Sequence, residues 1–84
     1  MQFTYFPKGV CSSKIDLDIE DGVVRHVRFT GGCDGNLKAV SALIEGMKVE
    51  EVQKRLTGIH CGQKSTSCAD QLARGLAQAL QEAQ

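Results

Sequence analysis

An Asp-Gly pair between two strand-like stretches constrains the fold of this chain more than any other feature. Before it, apolar and charged residues alternate over residues 14–20, which is typical of a strand with one buried face. After it, residues 23–30 are rich in β-branched residues, and Asp21-Gly22 suits the positive φ angles of a two-residue hairpin turn. The sequence therefore predicts an antiparallel hairpin, together with a short strand over residues 3–6.

Alternation along the second strand of this hairpin also predicts which side chains face the core. It puts Val23, Val27 and Phe29 on the buried face. It puts Val24 and His26 on the polar face, where His26 is interpreted as an ordinary surface residue. The hairpin is therefore expected to bury one face and to leave the other in water.

Apolar residues at helical spacing follow the hairpin and predict three helices. The first is expected to begin with Asn36 as its cap. The second is expected over about Val49–Leu56, where acidic residues in the first turn and basic residues in the last match the helix dipole. The last is expected over about Cys68–Ala83, because Ser67 followed by Asp70 three residues later resembles a capping box.

The order of these elements predicts the fold class. Strands come first and helices follow, which is typical of an α+β protein. We expect a small antiparallel sheet of about three strands, followed by about three helices packed on one face of it. The length of 84 residues fits a single domain over residues 1–84, with one modest core that a metal or a partner subunit could supplement.

Composition and charge exclude several classes of partner. Ten basic and ten acidic residues give a formal charge of zero, which argues against a nucleic-acid partner. The chain has no run of eighteen apolar residues, so no membrane span is expected. Its first residues lack the basic and apolar regions of a signal peptide, and the cytoplasm is the expected compartment. In that compartment four cysteines favour a metal or redox role over structural disulfides.

The four cysteines are the candidate functional residues. Cys61 and Cys68 fall with His60 within nine residues, on a loop that leads into the last helix. Cys11 and Cys33 each lie just outside a predicted strand, and Cys33 stands in a glycine-rich turn. A compact fold could bring all four sulfurs to one end of the sheet, and we expect the Cys33 and Cys61 sulfurs within about 8 Å of each other. The candidate metal ligands are Cys11, Cys33, Cys61 and Cys68, with His60 as a substitute or supporting group.

The residues leave three interpretations open. Four thiolates, or three with a histidine, suit a tetrahedral zinc ion or an iron-sulfur cluster, although no Cys-x2-Cys knuckle is present. Alternatively, Cys61 and Cys68 form a redox pair, with Cys68 as the attacking sulfur because a helix N-terminus stabilises a thiolate. In the third interpretation each cysteine is a separate packing residue. The sequence does not distinguish a monomer from a homo-oligomer.

Three segments resemble the TSCPD-domain family, and the resemblance covers nearly the whole chain. They are Cys33-Asp-Gly-Asn-Leu-Lys-Ala-Val, Gly46-Met-Lys-Val-Glu-Glu-Val and Thr66-Ser-Cys-Ala-Asp-Gln-Leu-Ala, with Ala69 where the motif has Pro. This family shares its domain with the C-terminal region of adenosylcobalamin-dependent ribonucleotide reductases. The resemblance implies a link to ribonucleoside-diphosphate reductase activity, with nucleotide binding and DNA biosynthesis as its setting, and ribonucleotide reductase or another protein as partner.

The chain is too short to carry out that reaction alone. A reductase needs a large barrel, a radical source and a nucleotide pocket, and 84 residues cannot hold them. An accessory or thiol-delivery role is therefore expected. Whether the chain is an enzyme in its own right is left open.

A more distant resemblance is to IscU/NifU-type iron-sulfur scaffolds. Cys11, Cys33, His60 and Cys61 occupy, in order, the places of that family's ligand residues, while Ser13 stands where the family has an Asp. This resemblance implies an IscU/NifU-like fold and, as a second alternative function, an iron-sulfur cluster scaffold.

Overall fold

A computed structural model of the chain describes residues 1–32 and 34–82. Within these residues, three strands form one antiparallel sheet in the order in which they occur along the chain, which matches the predicted hairpin and the short strand before it. The strands are β1 Gln2–Tyr5, β2 Ser12–Glu20 and β3 Val23–Gly31. Asp21 and Gly22, with φ angles of 52° and 78°, make the turn between β2 and β3 as the Asp-Gly pair predicts.

Three helices follow the sheet in the part of the chain that the structure describes, so the α+β fold class is confirmed. They are α1 Asp34–Ile44, α2 Val49–Leu56 and α3 Cys68–Glu82. The predicted bounds of α2 and the predicted start of α3 are confirmed, while residue 83 lies outside the described residues. Asn36 is not the cap of α1, because that helix already begins at Asp34 and Asn36 lies within its first turn. None of the helices described here is long and apolar enough to cross a membrane.

One apolar core joins the sheet to the helices. Ile15 of β2, together with Leu72 and Leu76 of α3, is fully shielded from water. Burial of this kind contributes about 1.5–3 kcal/mol for each large aliphatic side chain. The core cluster draws on both long strands and all three helices: Ile15, Leu17, Ile19, Val24, Val27, Ile44, Val49, Val52, Leu72, Leu76 and Ala79.

A β-bulge at His26 changes which residues of β3 face this core. Asp16 pairs with Arg28, and Asp18 pairs with Arg25, so β3 carries one residue more than β2 over this stretch. His26 takes up the extra residue with a φ angle of 53°, and its N–H donates to Glu45 Oε1 at 2.9 Å. The extra residue changes which residues of β3 before the bulge face the core, so that Val24 and Val27 lie on the same side.

The bulge corrects one prediction about the strand. Val24 is completely buried, whereas strict alternation places it on the polar face, and that prediction was wrong. Val27 is also buried, because the bulge lets two residues three positions apart point to the same side. His26 is exposed, as the sequence indicates.

Candidate functional site

Three of the cysteines that the structure describes line one cavity of about 310 Å³ at the end of the sheet where β2 begins. We call it the thiol cavity. Cys11 comes from the connection between β1 and β2, Cys61 from the loop before α3, and Cys68 from the first turn of α3. The described residues that line it are Val10, Cys11, Asn36, Leu37, Ile59, His60, Cys61, Lys64, Ser67, Cys68 and Ala69.

Cys68 is held between the sheet and α3. It is the first residue of α3, is half-buried, and its Sγ lies 3.2 Å from Ser12 Oγ. Ser12 is the first residue of β2 and is 2% exposed, so its hydroxyl is almost shielded from water. A strand start and a helix start therefore meet at this sulfur.

Cys61 lies in an exposed turn of the loop between α2 and α3. Its N–H donates to the carbonyl oxygen of Thr66 at 3.1 Å, and its carbonyl accepts the Lys64 N–H at 3.0 Å. Gly62 completes the turn with a φ angle of 60°. Cys61 and its neighbour His60 are both exposed, so this part of the cavity wall can be reached from solvent.

Two glycines at the end of β3 let the chain approach this site closely. Gly31 and Gly32 both have φ angles of 79°. A β-carbon on Gly32 would lie only 2.8 Å from Leu37 Cδ1 and 3.3 Å from the backbone nitrogen of Ser12. The next residue, Cys33, lies outside the described residues. The expected distance between its sulfur and that of Cys61 therefore stays a prediction.

Ser67 caps α3, but Asp70 does not complete the predicted capping box. Ser67 Oγ accepts the Asp70 N–H at 3.1 Å, which is the first half of that motif. The buried Asp70 carboxylate instead accepts the Gly58 N–H at 2.8 Å, the Thr66 hydroxyl and Arg74 Nε. The motif therefore ties the loop to the helix.

The environment of Asp70 favours its charged form. The hydrogen bond from the Gly58 N–H, followed by that from the Thr66 hydroxyl, lowers the pKa of Asp70 below its ordinary value, and burial opposes this effect. Arg74 adds a favourable charge at the outer edge of the carboxylate, with Nε at 3.1 Å from Oδ2. A charged carboxylate is thus held beneath the loop that carries Cys61.

Gln71 makes a second set of hydrogen bonds, two of them to residues near the start of the chain. Its Oε1 accepts the Lys8 N–H at 3.1 Å and the Tyr5 hydroxyl at 3.4 Å, while its Nε2 donates to Thr66 Oγ1 at 3.0 Å. Gln71 is 3% exposed. Neither Gln71 nor Thr66 was predicted from the sequence to shape the site. The one signal in the sequence was that two polar residues, Asp70 and Gln71, directly precede the buried Leu72.

The described donor groups of the thiol cavity do not lie within bonding distance of one ion. Among the residues that the structure describes, no group of three His, Cys, Asp or Glu side chains is close enough to hold a metal ion. Cys11, Cys61 and Cys68 are all free thiols. Such a set of soft sulfur donors suits thiophilic metals and thiol–disulfide exchange, whereas Mg²⁺ and Ca²⁺ prefer oxygen ligands.

Comparison with known proteins identifies the family of the chain. The model of the TSCPD domain matches residues 1–80. No curated protein and no solved structure is significantly similar to the chain. The match spans all three strands and nearly the whole of α3. The chain therefore belongs to the TSCPD-domain family.

Proposed function

We propose that this TSCPD-domain chain binds a thiophilic metal, as a zinc ion or an iron-sulfur cluster, at the thiol cavity. Cys11, Cys33, Cys61 and Cys68 are the proposed ligands, and His60 is the proposed substitute. The observation that carries the proposal is that Cys11, Cys61 and Cys68, from three separate parts of the chain, line one cavity.

The chemistry of the lining supports a soft metal. None of the described lining residues carries a carboxylate, and the cavity surface is mostly apolar around the sulfurs. Thiolates are the preferred donors for zinc and for iron-sulfur clusters, where an apolar surround also limits access of water. The donor set therefore fits these groups better than it fits hard cations.

The proposal requires the tip of the loop that carries Cys61 to rearrange between its ends at Gly58 and Thr66, which are bonded to Asp70, because no three described donor groups are close enough to hold a metal ion. Residues 57–65 of this loop are all exposed, and Gly58 and Gly62 both have positive φ angles. A loop with few buried contacts is the kind of segment that rearranges at low cost when a ligand binds. Metal binding would then add to the free energy of unfolding.

The second candidate function is thiol–disulfide exchange by Cys61 and Cys68, as an accessory to ribonucleotide reduction. It is favoured by the presence of both sulfurs as free thiols at one cavity. In this reaction a partner disulfide takes up two electrons and two protons and becomes two thiols, while Cys61 and Cys68 form a disulfide. The proposed partner is ribonucleotide reductase or another protein with a reducible disulfide. The proposed compartment is the cytoplasm, where these thiols would stay reduced.

Elemental analysis and an absorption spectrum of protein prepared without oxygen test the proposal. Visible sulfur-to-iron bands would indicate a cluster, and a stoichiometric colourless metal would indicate zinc. A cluster that passes to an acceptor protein would support the iron-sulfur scaffold role that the IscU/NifU resemblance predicts. Protein without metal after reconstitution with iron and sulfide, or with zinc, would contradict metal binding and leave the redox function and the interpretation of the cysteines as separate packing residues.

Single substitutions separate the two functions. Replacing Cys11 or Cys33 by Ser should reduce bound metal if all the sulfurs are ligands. The same changes should leave disulfide formation intact if only Cys61 and Cys68 react. Ser65→Ala, an exposed change in the same loop as Cys61, is the matched control and should alter neither property.

A further inference from the structure

The first turn of α3 carries two buried polar side chains that the proposed function does not use. Asp70 is 2% exposed and Gln71 is 3% exposed, and both follow Cys68 closely in the chain. Burying a polar side chain costs free energy unless it is hydrogen-bonded. The described bonds of these two side chains run to residues outside α3, except the bond between Asp70 and Arg74 within the helix. Their partners show what they hold in place.

Asp70 holds the segment that carries His60 and Cys61 at both ends. The Gly58 N–H, before that segment, and the Thr66 hydroxyl, after it, both donate to the one carboxylate. The turn between them is closed by the hydrogen bond from Cys61 N–H to the Thr66 carbonyl. A single charged group thus fixes the two ends of this segment relative to the start of α3.

Gln71 holds the segment that carries Cys11. Its Oε1 accepts the Lys8 N–H, three residues before Cys11, and the Tyr5 hydroxyl at the end of β1. These partners lie 63 and 66 residues away in the chain. The bond from Nε2 to Thr66 joins this set to the Asp70 set.

We infer that Asp70 and Gln71 are the positioning residues of the thiol cavity, Asp70 for the loop with Cys61 and Gln71 for the connection with Cys11. Both loops are thereby held in position relative to the helix that begins with Cys68. This inference rests on the proposed function, since the position of the sulfurs matters only if they act together on one ligand or one disulfide.

The test compares Asp70→Asn and Gln71→Met in two measurements. Amide hydrogen exchange reports loop order without any metal, and a chelator competition with zinc reports the affinity of the site. Asp70→Asn should accelerate exchange at the Cys61 and Lys64 amides, which Asp70 does not bond directly. Gln71→Met should accelerate exchange at Lys8 and the residues leading to Cys11.

Both variants should weaken zinc binding about tenfold and leave the stoichiometry unchanged. A loss of this size is typical when a residue that supports a metal ligand is removed. Ile19→Ala is the matched control, because it weakens the core near the opposite end of β2. Thr66→Val is the second variant if Asp70→Asn does not fold; it removes the hydroxyl that donates to Asp70 and accepts from Gln71, and it should accelerate exchange at the Cys61 and Lys64 amides.

The outcomes separate this inference from the proposed function. If the wild-type chain binds no zinc but the two variants loosen different loops, metal binding fails and the positioning role stands. If zinc binds but loop exchange and affinity are unchanged in both variants, the positioning role is overturned. The same pattern of exchange in Ile19→Ala would also overturn it, since a general loss of stability would then explain the result.

Discussion

Ser12 Oγ and Cys68 Sγ lie 3.2 Å apart and join the first residue of β2 to the first residue of α3. The two residues are 56 positions apart in the chain. Because Ser12 is 2% exposed, its hydroxyl has little access to water as an alternative partner. The hydroxyl can donate to a Cys68 thiolate, which is the reactive form of the sulfur in both proposed functions.

Replacing Ser12 by Ala should slow the reaction of Cys68 with iodoacetamide near neutral pH by about threefold, since one hydrogen bond to the thiolate is lost. Mass spectrometry of the alkylated peptide measures the rate at this cysteine alone. Ser13→Ala is the control, because the exposed Ser13 hydroxyl bonds the Thr30 carbonyl instead. Equal rates in the wild-type chain and Ser12→Ala would show that this contact does not activate the sulfur.

Replacing Cys68 by Ser should reduce bound metal and lower the melting temperature by about 5 °C, because metal binding contributes to the free energy of unfolding. Elemental analysis and thermal denaturation measure the two effects. If Cys68 is instead a redox nucleophile, metal content and melting temperature should be unchanged, and disulfide formation with Cys61 should be lost. Unchanged values would therefore count against the metal proposal.

The bulge at His26 predicts opposite effects for two substitutions. Replacing His26 by Gly should leave the free energy of unfolding unchanged or slightly raised, since Gly adopts the φ angle of 53° without strain. Replacing it by Val should lower that free energy by about 1–2 kcal/mol, because a β-branched residue is strained in the left-handed region. Urea denaturation compares the two. Equal stabilities would mean that the left-handed conformation does not limit the choice of residue here.

Replacing Gly75 by Ala should destabilise the protein, although Ala is normally the better helix residue. The new β-carbon would lie 2.9 Å from Tyr5 Cγ, and overpacking of this kind costs about 1–3 kcal/mol. Thermal or urea denaturation measures the loss, and combining it with Tyr5→Leu should recover part of it.

Gly35→Ala is the matched control for Gly75→Ala. Gly35 is also helical, but a β-carbon there meets nothing within 4 Å. This change should raise the free energy of unfolding by up to about 1 kcal/mol through helix propensity. A stabilising Gly75→Ala would show that α3 does not pack on the Tyr5 ring as described.

Glu45 should make stability depend on pH in the acid range. The hydrogen bond from the His26 backbone N–H lowers the pKa of Glu45 from its ordinary value of 4.5 in the folded state. The unfolded chain then binds this proton at higher pH than the folded chain does. The contribution of Glu45 is therefore fully present above pH 4.5 and is lost as the pH falls through the lowered folded-state value.

The stability difference between the wild-type chain and Glu45→Gln measures this effect, because Gln keeps an acceptor oxygen that does not titrate. The difference should be constant above pH 4.5 and should shrink toward more acid pH. A difference that stays constant over the whole acid range would mean that the charge of Glu45 does not contribute to the hydrogen bond at the bulge.

Local sequence patterns determined most of the secondary structure. The turn at Asp21-Gly22 and the bounds of α2 follow from residues that are neighbours in the chain, so they could be predicted. The cap of α3 by Ser67 has the same origin. These features depend on backbone preferences and on contacts within one turn. The tertiary contacts are compatible with them but are not needed to define them.

The tertiary structure alone decided which face of β3 Val24 lies on and how the site is assembled. The bulge that buries Val24 depends on pairing with β2 and on Glu45 from beyond α1, and neither is visible in the alternation of β3. The convergence of Cys11 with Cys61 and Cys68 on one cavity likewise joins distant parts of the chain, and so do the hydrogen bonds of Asp70 to Gly58 and of Gln71 to Lys8. A sequence pattern reports the preference of a residue for its neighbours, whereas these contacts exist only once the sheet and α3 have packed together.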